Sequence, residues 1–389
     1  MRSLAVGGSL LVAIAAQTPT PSLAADPLKI GVLMPTSGLF AVLGKYQLNG
    51  IRYAVEEAGG EVAGRKIELI HEDDEGKPDV GLAKTRKLVL SDRVDMMTGI
   101  ISSAVALAVA PYLSSQRMPI VLSNAAADSL SGEKCDQYVF RVSYSSSQIS
   151  EPIGLWMAKN VPKPTYMMVT DFVAAQEFSA AWKRAFLAGG GKIVGESFTP
   201  FGRTQDYGPY ISQARAANPG AVFATYFAAE ALSFVKQYDS FGMKANIPLY
   251  GPVGITPPVL FKAQGPAALG VIQSSNYVVE LDHPENRVFR DAYKKKFNED
   301  PEEFSVMGYD AMRFIIEAVK ARNGDTKDRP ALLSALVVTS VLADGQQWAV
   351  GAQTVGVGVA AVMLLCRAPL LLASLVAVVV TAVLRALTG

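Results

Sequence analysis

The apolar residues of this chain fall into two alternating periods. Short unbroken apolar runs, of the kind a strand buried on both faces requires, are followed by turn residues and then by stretches whose apolar positions recur every three or four residues, one stripe of an amphipathic helix. The first run is Lys29–Met34, ended by Pro35, Ser37 and Gly38. From Tyr46 onward Leu48, Ile51, Val55 and Ala58 mark a helical stripe, which Gly59 and Gly60 stop. The alternation continues with strands over Lys66–Glu72, Val94–Ile101 and Pro119–Leu122 and helices over Val80–Leu90 and Ala104–Leu113.

A second series starts after Phe140–Tyr144. Strands are predicted at Thr165–Thr170, Lys192–Phe198, Ala221–Tyr226 and Pro248–Tyr250, and helices at Gln176–Ala188, Tyr207–Ala217 and Ala229–Phe241. Two longer helices follow, Pro284–Phe297 and Gly308–Arg322. Strands alternating with helices at this spacing predict an α/β chain with two parallel sheets, each covered on both faces. The repetition is of architecture rather than of a short period, which argues against a solenoid. In open parallel sheets the ligand crevice lies beyond the carboxyl ends of the strands, so the loop from Pro35 to Gly44 should face whatever the protein binds.

Composition narrows this further. With 389 residues, half of them apolar, the chain can fill two cores, and a formal charge of +1 gives no field for nucleic acid as a partner. Residues 1–25 carry Arg2, an apolar core from Leu4 to Ala16 and a small-residue end at Ser22-Leu23-Ala24-Ala25, the pattern of a cleaved secretory signal. The mature chain would begin near Ala25 or Asp26. Cys135 and Cys366 lie in regions of different character and give no disulfide framework, so Cys135 is expected as a free or buried thiol.

Catalytic chemistry finds no machinery. His71 and His283 are too few for a zinc site, and Glu72-Asp73-Asp74-Glu75 reads as a solvated loop rather than a metal site. Gly38–Lys45 is one residue too long for a phosphate-binding loop and lacks its Ser or Thr, while Gly356-Val357-Gly358 has no βαβ context. Neither G-x-S-x-G nor paired carboxylates stand out. The run Lys294-Lys295-Lys296, offset by Asp291, Glu299 and Asp300, reads as a solvated face. No cofactor, metal or enzyme activity is expected.

In their order and spacing, the segments KIGVLMPTSGLFAVLG, GGEVAGRKIELIHEDDEGKP, TGIISSAVALAVAPYL, YVFRVSYSSSQ and ANPGAVFATYFAAEALSFVKQYDSFGM resemble the leucine-binding branch of type I periplasmic binding proteins, which deliver small solutes to ABC importers. The resemblance covers roughly Pro27–Val338 and implies two Rossmann-like α/β lobes joined by a hinge, closing on a ligand between them. On this sequence lobe one takes 26–143 and 277–338 and lobe two 144–276, with crossings near Ser143-Tyr144 and Asn276-Tyr277. It also implies a ligand carboxylate held by the Ser103 hydroxyl and by backbone N–H groups of Asn124, Ala125 and Ala126. A serine hydroxyl and bare amides are suitable donors for a carboxylate in a pocket that excludes water. Ser103 also fits the N-cap of the Ala104–Leu113 helix, and one hydroxyl can do both.

The sequence departs from the leucine-binding pattern where the ligand's ammonium would sit. The carboxylate expected after Gly251-Pro252 falls on Val253, the acid at the first crossing on Ser146, the threonine of the carboxylate turn on Ala126, and a lobe-two tyrosine on Phe227. An unpaired buried ammonium costs several kcal/mol, so a zwitterion fits poorly unless Asp171 or Glu230 reaches it. Leu43, Tyr144, Phe172 and Phe227 would form an apolar wall, although each also suits an ordinary core. The expected ligand is a branched-chain amino acid or a small apolar or aromatic carboxylate, captured in the periplasm for a cognate ABC permease and ATPase. The alternative is a ligand-sensing module of the same fold, attached to the membrane and signalling to a partner.

The family's closing turn, strand and third crossing are not recognisable after Val338. Instead Ala349–Cys366 and Leu370–Leu384 are two apolar runs separated by Arg367-Ala368-Pro369. At about 1.5 Å per residue they span roughly 27 and 22 Å as helices, which suggests a membrane hairpin over 349–384. This atypical tail, 339–389, resembles the end of the small hydrophobic subunit of AzlCD-type branched-chain amino acid exporters. Three readings stay open at this point: a membrane tether, a fused or frame-shifted end, or a greasy segment folded on lobe two, whose sheet edge would otherwise be exposed.

Overall fold

The computed structural model describes residues 26–161 and 163–344, with 347, 348 and tail positions 376, 379, 380 and 383. The first half of the chain gives β1 (Leu28–Leu33), α1 (Ala41–Glu57), β2 (Glu61–Val62), β3 (Arg65–Glu72), α2 (Pro78–Arg86), β4 (Met96–Gly99), α3 (Ser103–Ser115), β5 (Ile120–Leu122) and β6 (Val139–Arg141). These strands form one sheet in the order β2-β3-β1-β4-β5-β6. All pairs are parallel except β2 with β3. β1 runs through the middle, with Ile30 opposite Leu69 on one side and Met96 on the other. Its run LKIGVL is apolar throughout apart from Lys29 because both faces are covered.

The second half gives α4 (Ser146–Asn160), β7 (Thr165–Thr170), α5 (Val173–Ala188), β8 (Ile193–Thr199), α6 (Gly208–Ala216), β9 (Ala221–Thr225), α7 (Ala228–Ser240), β10 (Leu249–Gly251), α8 (Pro258–Gln264) and β11 (Ile272–Gln273). Its sheet, β11-β10-β9-β7-β8, is parallel throughout. The core on one face stacks Trp182 on Phe223, ring centroids 4.2 Å apart, and on Phe186 at 4.7 Å. The chain then returns through α9 (Pro284–Phe297), α10 (Glu303–Ala321) and α11 (Arg329–Leu342), and α10 packs along α1. A short antiparallel pair, β12 (Ala343–Asp344) with β13 (Gln347–Trp348), follows.

In each sheet the winding reverses at one place, between β1 and β4 in the first and between β7 and β9 in the second. A doubly wound sheet leaves a crevice at that point, because the helices on either side diverge to opposite faces. Here both crevices open toward each other. One apolar cluster is continuous across them, joining Phe40, Leu43 and Ile101 of the first half to Tyr144, Ala174, Phe178, Ala228 and Val253 of the second.

Several elements differ from the sequence expectation. α1 starts at Ala41, ahead of the apolar stripe, because Gly44 lets the loop after β1 lie against it: a Cβ at Gly44 would stand 1.7 Å from the Pro35 carbonyl oxygen. α4 was not expected at all, since Pro152 interrupts its stripe; a capping box of Ser145 and Gln148 starts it. α10 begins at Glu303 rather than Gly308, where Glu302 and Ser305 form a reciprocal cap. The acidic run after β3 is not wholly solvated, because Asp74 is fully buried with Oδ1 accepting the Gly76 N–H at 2.8 Å. Burial pushes its carboxyl up to about 6. Cys135 is free and exposed.

The secretory signal and Cys366 lie outside the described residues, and so does nearly all of the expected hairpin at 349–384. Among the described residues no helix is long and apolar enough to cross a membrane.

Candidate ligand-binding site

The loops that leave the strands at the two crevices enclose one cavity of about 30 Å³. Phe40 and Leu43 come from the start of α1, Ile101 and Ser103 from the link between β4 and α3, and Asn124 and Ala126 from the turn after β5. Tyr144 follows β6. The second half supplies Phe172, Ala174 and Phe178 around the start of α5, Phe227 before α7 and Val253 after β10, while Phe304 of α10 closes the floor. Leu43, Ser103, Asn124, Ala126, Tyr144, Phe172, Phe227 and Val253, all named from the sequence, thus line one cavity.

Ala125 and Ser146 are not among the lining residues. Ala125 is fully buried and its N–H donates to Ile100 O at 3.1 Å. Ser146 lies at the start of α4, and its hydroxyl lies 3.1 Å from Ala126 O and 3.3 Å from Glu177 Oε2. Neither Asp171 nor Glu230 lines the cavity. Asp171 is exposed, and Glu230 turns away to accept the Gly202 N–H at 2.7 Å.

Ser103 needs a correction of role. The N-cap of α3 is Ser102, whose side chain accepts the Val105 N–H at 3.4 Å. Ser103 Oγ instead accepts two N–H groups, from Ala126 and Ala127, each at 3.1 Å. Those bonds occupy the oxygen's lone pairs and orient the hydroxyl, which keeps its own proton to donate. The turn's amides at 125 and 126 are therefore engaged within the protein and are not the bare carboxylate donors expected.

A second feature was invisible as a list of apolar positions. Three helices reach this cavity with a phenylalanine at the N-cap: Phe40 for α1, Phe172 for α5 and Phe227 for α7. None has a side-chain oxygen to accept a first-turn N–H, so the positive ends of these helices meet the cavity without the side-chain cap that Ser, Thr or Asp would give. Among the described residues no acidic or basic side chain lines the cavity. Burial, reinforced by the charges of Glu303 and Glu302, pushes the Tyr144 phenol well above its ordinary value, so it stays protonated. Backbone strain sits at the rim: Ile100 at φ 66°, a conformation a β-branched residue rarely adopts, and Ala228 at φ 52°.

Phe40, Ile101, Ala174, Phe178 and Phe304 were missed because their residue types are those of any core. A larger groove of about 690 Å³ lies between α8, residues 277–280 and residues 299–303. It carries both signs of charge, from Arg290 and Lys294 to Glu280, Glu299 and Asp300, and none of the lining comes from the loops that leave β1, β4, β5 or β7. The smaller cavity is the one the fold builds at its two crevices. Among the described residues no group of three His, Cys, Asp or Glu side chains could hold a metal ion.

Known proteins share this plan. A sequence profile described as periplasmic binding protein matches residues 27–351. The Leu/Ile/Val-binding protein homolog 6 of Brucella melitensis is 32% identical over 306 residues, 77% of either chain. An ABC transporter substrate-binding protein from Sphaerobacter thermophilus is 34% identical, with a TM-score of 0.74 over 80% of this chain and 85% of that one. A solute-binding protein of an R. palustris ABC transporter, in complex with benzoate, is 30% identical with a TM-score of 0.77 over 82% and 87%. Two parallel sheets meeting at one cleft, and a match that runs through both of them, lead to one conclusion: the chain belongs to the periplasmic binding protein family, whose members bind solutes rather than transform them.

Proposed function

We propose that this protein is the exported solute-binding component of an ABC importer and that its cleft takes a small monocarboxylate with an apolar, preferably aromatic, body. The observation that carries the reading is the lining itself: three helix starts capped only by phenylalanine, a serine hydroxyl with a proton to give, and no carboxylate. Helix N-termini favour an anion. Phe40, Phe172, Phe178, Phe227 and Phe304 suit a ring or branched aliphatic body. An ammonium finds no partner there, so a free amino acid ranks below the corresponding acid. Relatives with leucine-type names and a relative holding benzoate bracket the same chemistry.

The cavity is smaller than a benzoate-sized guest needs, so entry requires the two halves to part and close again, as hinge-bending binding proteins do. Thermal denaturation of the exported chain with benzoate, 4-hydroxybenzoate, isovalerate or leucine tests the reading. A ligand at 100 times its Kd adds about 2.7 kcal/mol. The expected order is benzoates first, isovalerate next and leucine last. Stabilisation by leucine alone would overturn it.

A further inference from the structure

The turn after β5 is held from both sides. On one side the N–H groups of Ala126 and Ala127 donate to Ser103 Oγ. On the other, the next N–H in the chain, that of Asp128, donates to Glu177 Oε2 at 2.8 Å. Glu177 lies on α5, 49 residues further on and carried by the second sheet. Three successive amides of one turn thus go to the hydroxyl that lines the cavity and to a carboxylate from the opposite half.

The neighbours of Glu177 are arranged around that bond. The Ser146 hydroxyl stands 3.3 Å from the same oxygen, and Arg141 donates to Ala127 O at 2.8 Å, placing a positive charge beside the pair. The Asp128 carboxylate is engaged by Ser147, through its N–H at 3.1 Å and its hydroxyl at 2.6 Å. Burial and the charge of Asp128 push the Glu177 carboxyl up, while the Asp128 and Ser146 bonds and Arg141 pull it back. When the halves part, water must replace the protein on both the Asp128 amide and the Glu177 carboxylate. When they close, the two are joined by a bond with one charged partner in a half-dry setting, the strong kind.

Building on the ligand reading above, we infer that Glu177 is a positioning residue that latches the closed cleft by clamping the Ala126–Asp128 turn from the second half. The latch needs no contact with the ligand. By fixing the turn it fixes the Ser103 hydroxyl, so the lifetime of the bound state and the orientation of that donor depend on the same bond.

The test uses the full exported chain with benzoate as probe. Glu177→Ala should raise the dissociation rate roughly tenfold or more, the worth of one hydrogen bond to a charged group, and leave the association rate and the unliganded Tm unchanged. Glu177→Gln keeps an acceptor for the Asp128 amide and should fall between. An unchanged dissociation rate, or a loss matched by a lower unliganded Tm, overturns the latch; the second result would mean an ordinary structural bond. If wild type binds none of the probe acids, the ligand reading fails by itself. The latch then stands only if Glu177→Ala enlarges the radius of gyration of the ligand-free chain in small-angle scattering, and identical curves overturn it.

Discussion

Phe172 and Phe201 stack face to face with ring centroids 4.5 Å apart and planes 20° from parallel, and Phe40 meets both from the other half, at 6.0 and 6.1 Å. The three rings bridge the cleft beside the cavity, and Phe201 is held there by its neighbour Gly202, whose N–H donates to Glu230. Aromatic pairs are worth about 0.5–1.5 kcal/mol beyond their buried area. Phe201→Ala, which removes a ring that does not line the cavity, should therefore weaken ligand binding about three- to tenfold. Calorimetric titration reads this directly, and unchanged affinity would show that the stack does not contribute to closure.

Ser102 and Ser103 are adjacent and carry different jobs. Ser102→Ala removes the α3 cap and should cost about 1 kcal/mol of stability with affinity unchanged. Ser103→Ala removes a donor from the cavity and leaves the buried amides of Ala126 and Ala127 without an acceptor. Affinity for a carboxylate should fall by roughly tenfold or more, the worth of a hydrogen bond to a charged group. Paired urea melts and titrations of both variants check the division; a swap of the two phenotypes would reverse the assignment.

That division also marks where sequence reading succeeded and where it stopped. The alternation of runs and stripes located most strands of both sheets, though not β2, β6 or β11, and the rule for doubly wound sheets pointed to the loop after β1; Ser103, Asn124, Phe172 and Phe227, which meet Leu43 at one cavity, came from the family resemblance. Which of two neighbouring serines caps a helix depends on where its first turn begins, here at Ser103 after an extended Ser102, and no residue type announces it. Phe40, Phe178 and Phe304 were unreadable because an apolar side chain looks the same facing a core or a cleft. α4 was lost to Pro152, and Ser146 follows the hinge rather than the cavity because α4 starts there.

The crossing of α1 and α10 tolerates no added atoms. A Cβ at Gly308 would stand 2.1 Å from Gln47 O, and one at Gly50 would stand 1.9 Å from Ser305 O, so both contacts are with rigid backbone. Gly308→Ala must push the helices apart, and overpacking of this kind costs about 1–3 kcal/mol or more. The gain in helix propensity from alanine, about 1 kcal/mol, does not offset it. A chemical melt with a midpoint at or above wild type would contradict the close approach.

Glu303 gives the fold a pH dependence. It is buried at the start of α10 with Oε2 2.6 Å from the Ser275 hydroxyl, and burial, opposed by that bond, pushes its carboxyl up to about 7 from 4.5. Between those values the native state keeps a proton that the unfolded chain releases. The group's contribution to stability is therefore full below pH 4.5 and declines as pH rises to 7, by at most about 1.4 kcal/mol per pH unit. Glu303→Gln, neutral at every pH, should match wild type near pH 5 and exceed it at pH 8 by on the order of 2–3 kcal/mol. Equal slopes of stability against pH in the two proteins would remove Glu303 as the source.

Val253 tests what the cleft selects for. It is buried in the cavity wall with Phe227, and it is the position onto which the resemblance to the leucine-binding pattern places an acid. Val253→Glu would place a carboxylate among Phe178, Phe227 and the helix starts, and without a partner that charge costs several kcal/mol, so the unliganded variant should be less stable than wild type. A monocarboxylate then brings a second negative charge into the same small volume and should lose about 100-fold or more in affinity, since like charges juxtaposed in a buried site cost several kcal/mol. A zwitterion brings the missing partner instead: its ammonium pairs with Glu at 253 while its carboxylate keeps Ser103. Leucine should therefore stabilise the variant and not the wild type, and benzoate the wild type and not the variant. A crossed pattern of thermal shifts is expected because the substitution moves one charge and leaves the Ser103 end of the cavity alone. If leucine stabilised wild type as strongly as the variant, the missing acid at position 253 would not be what sets ligand choice.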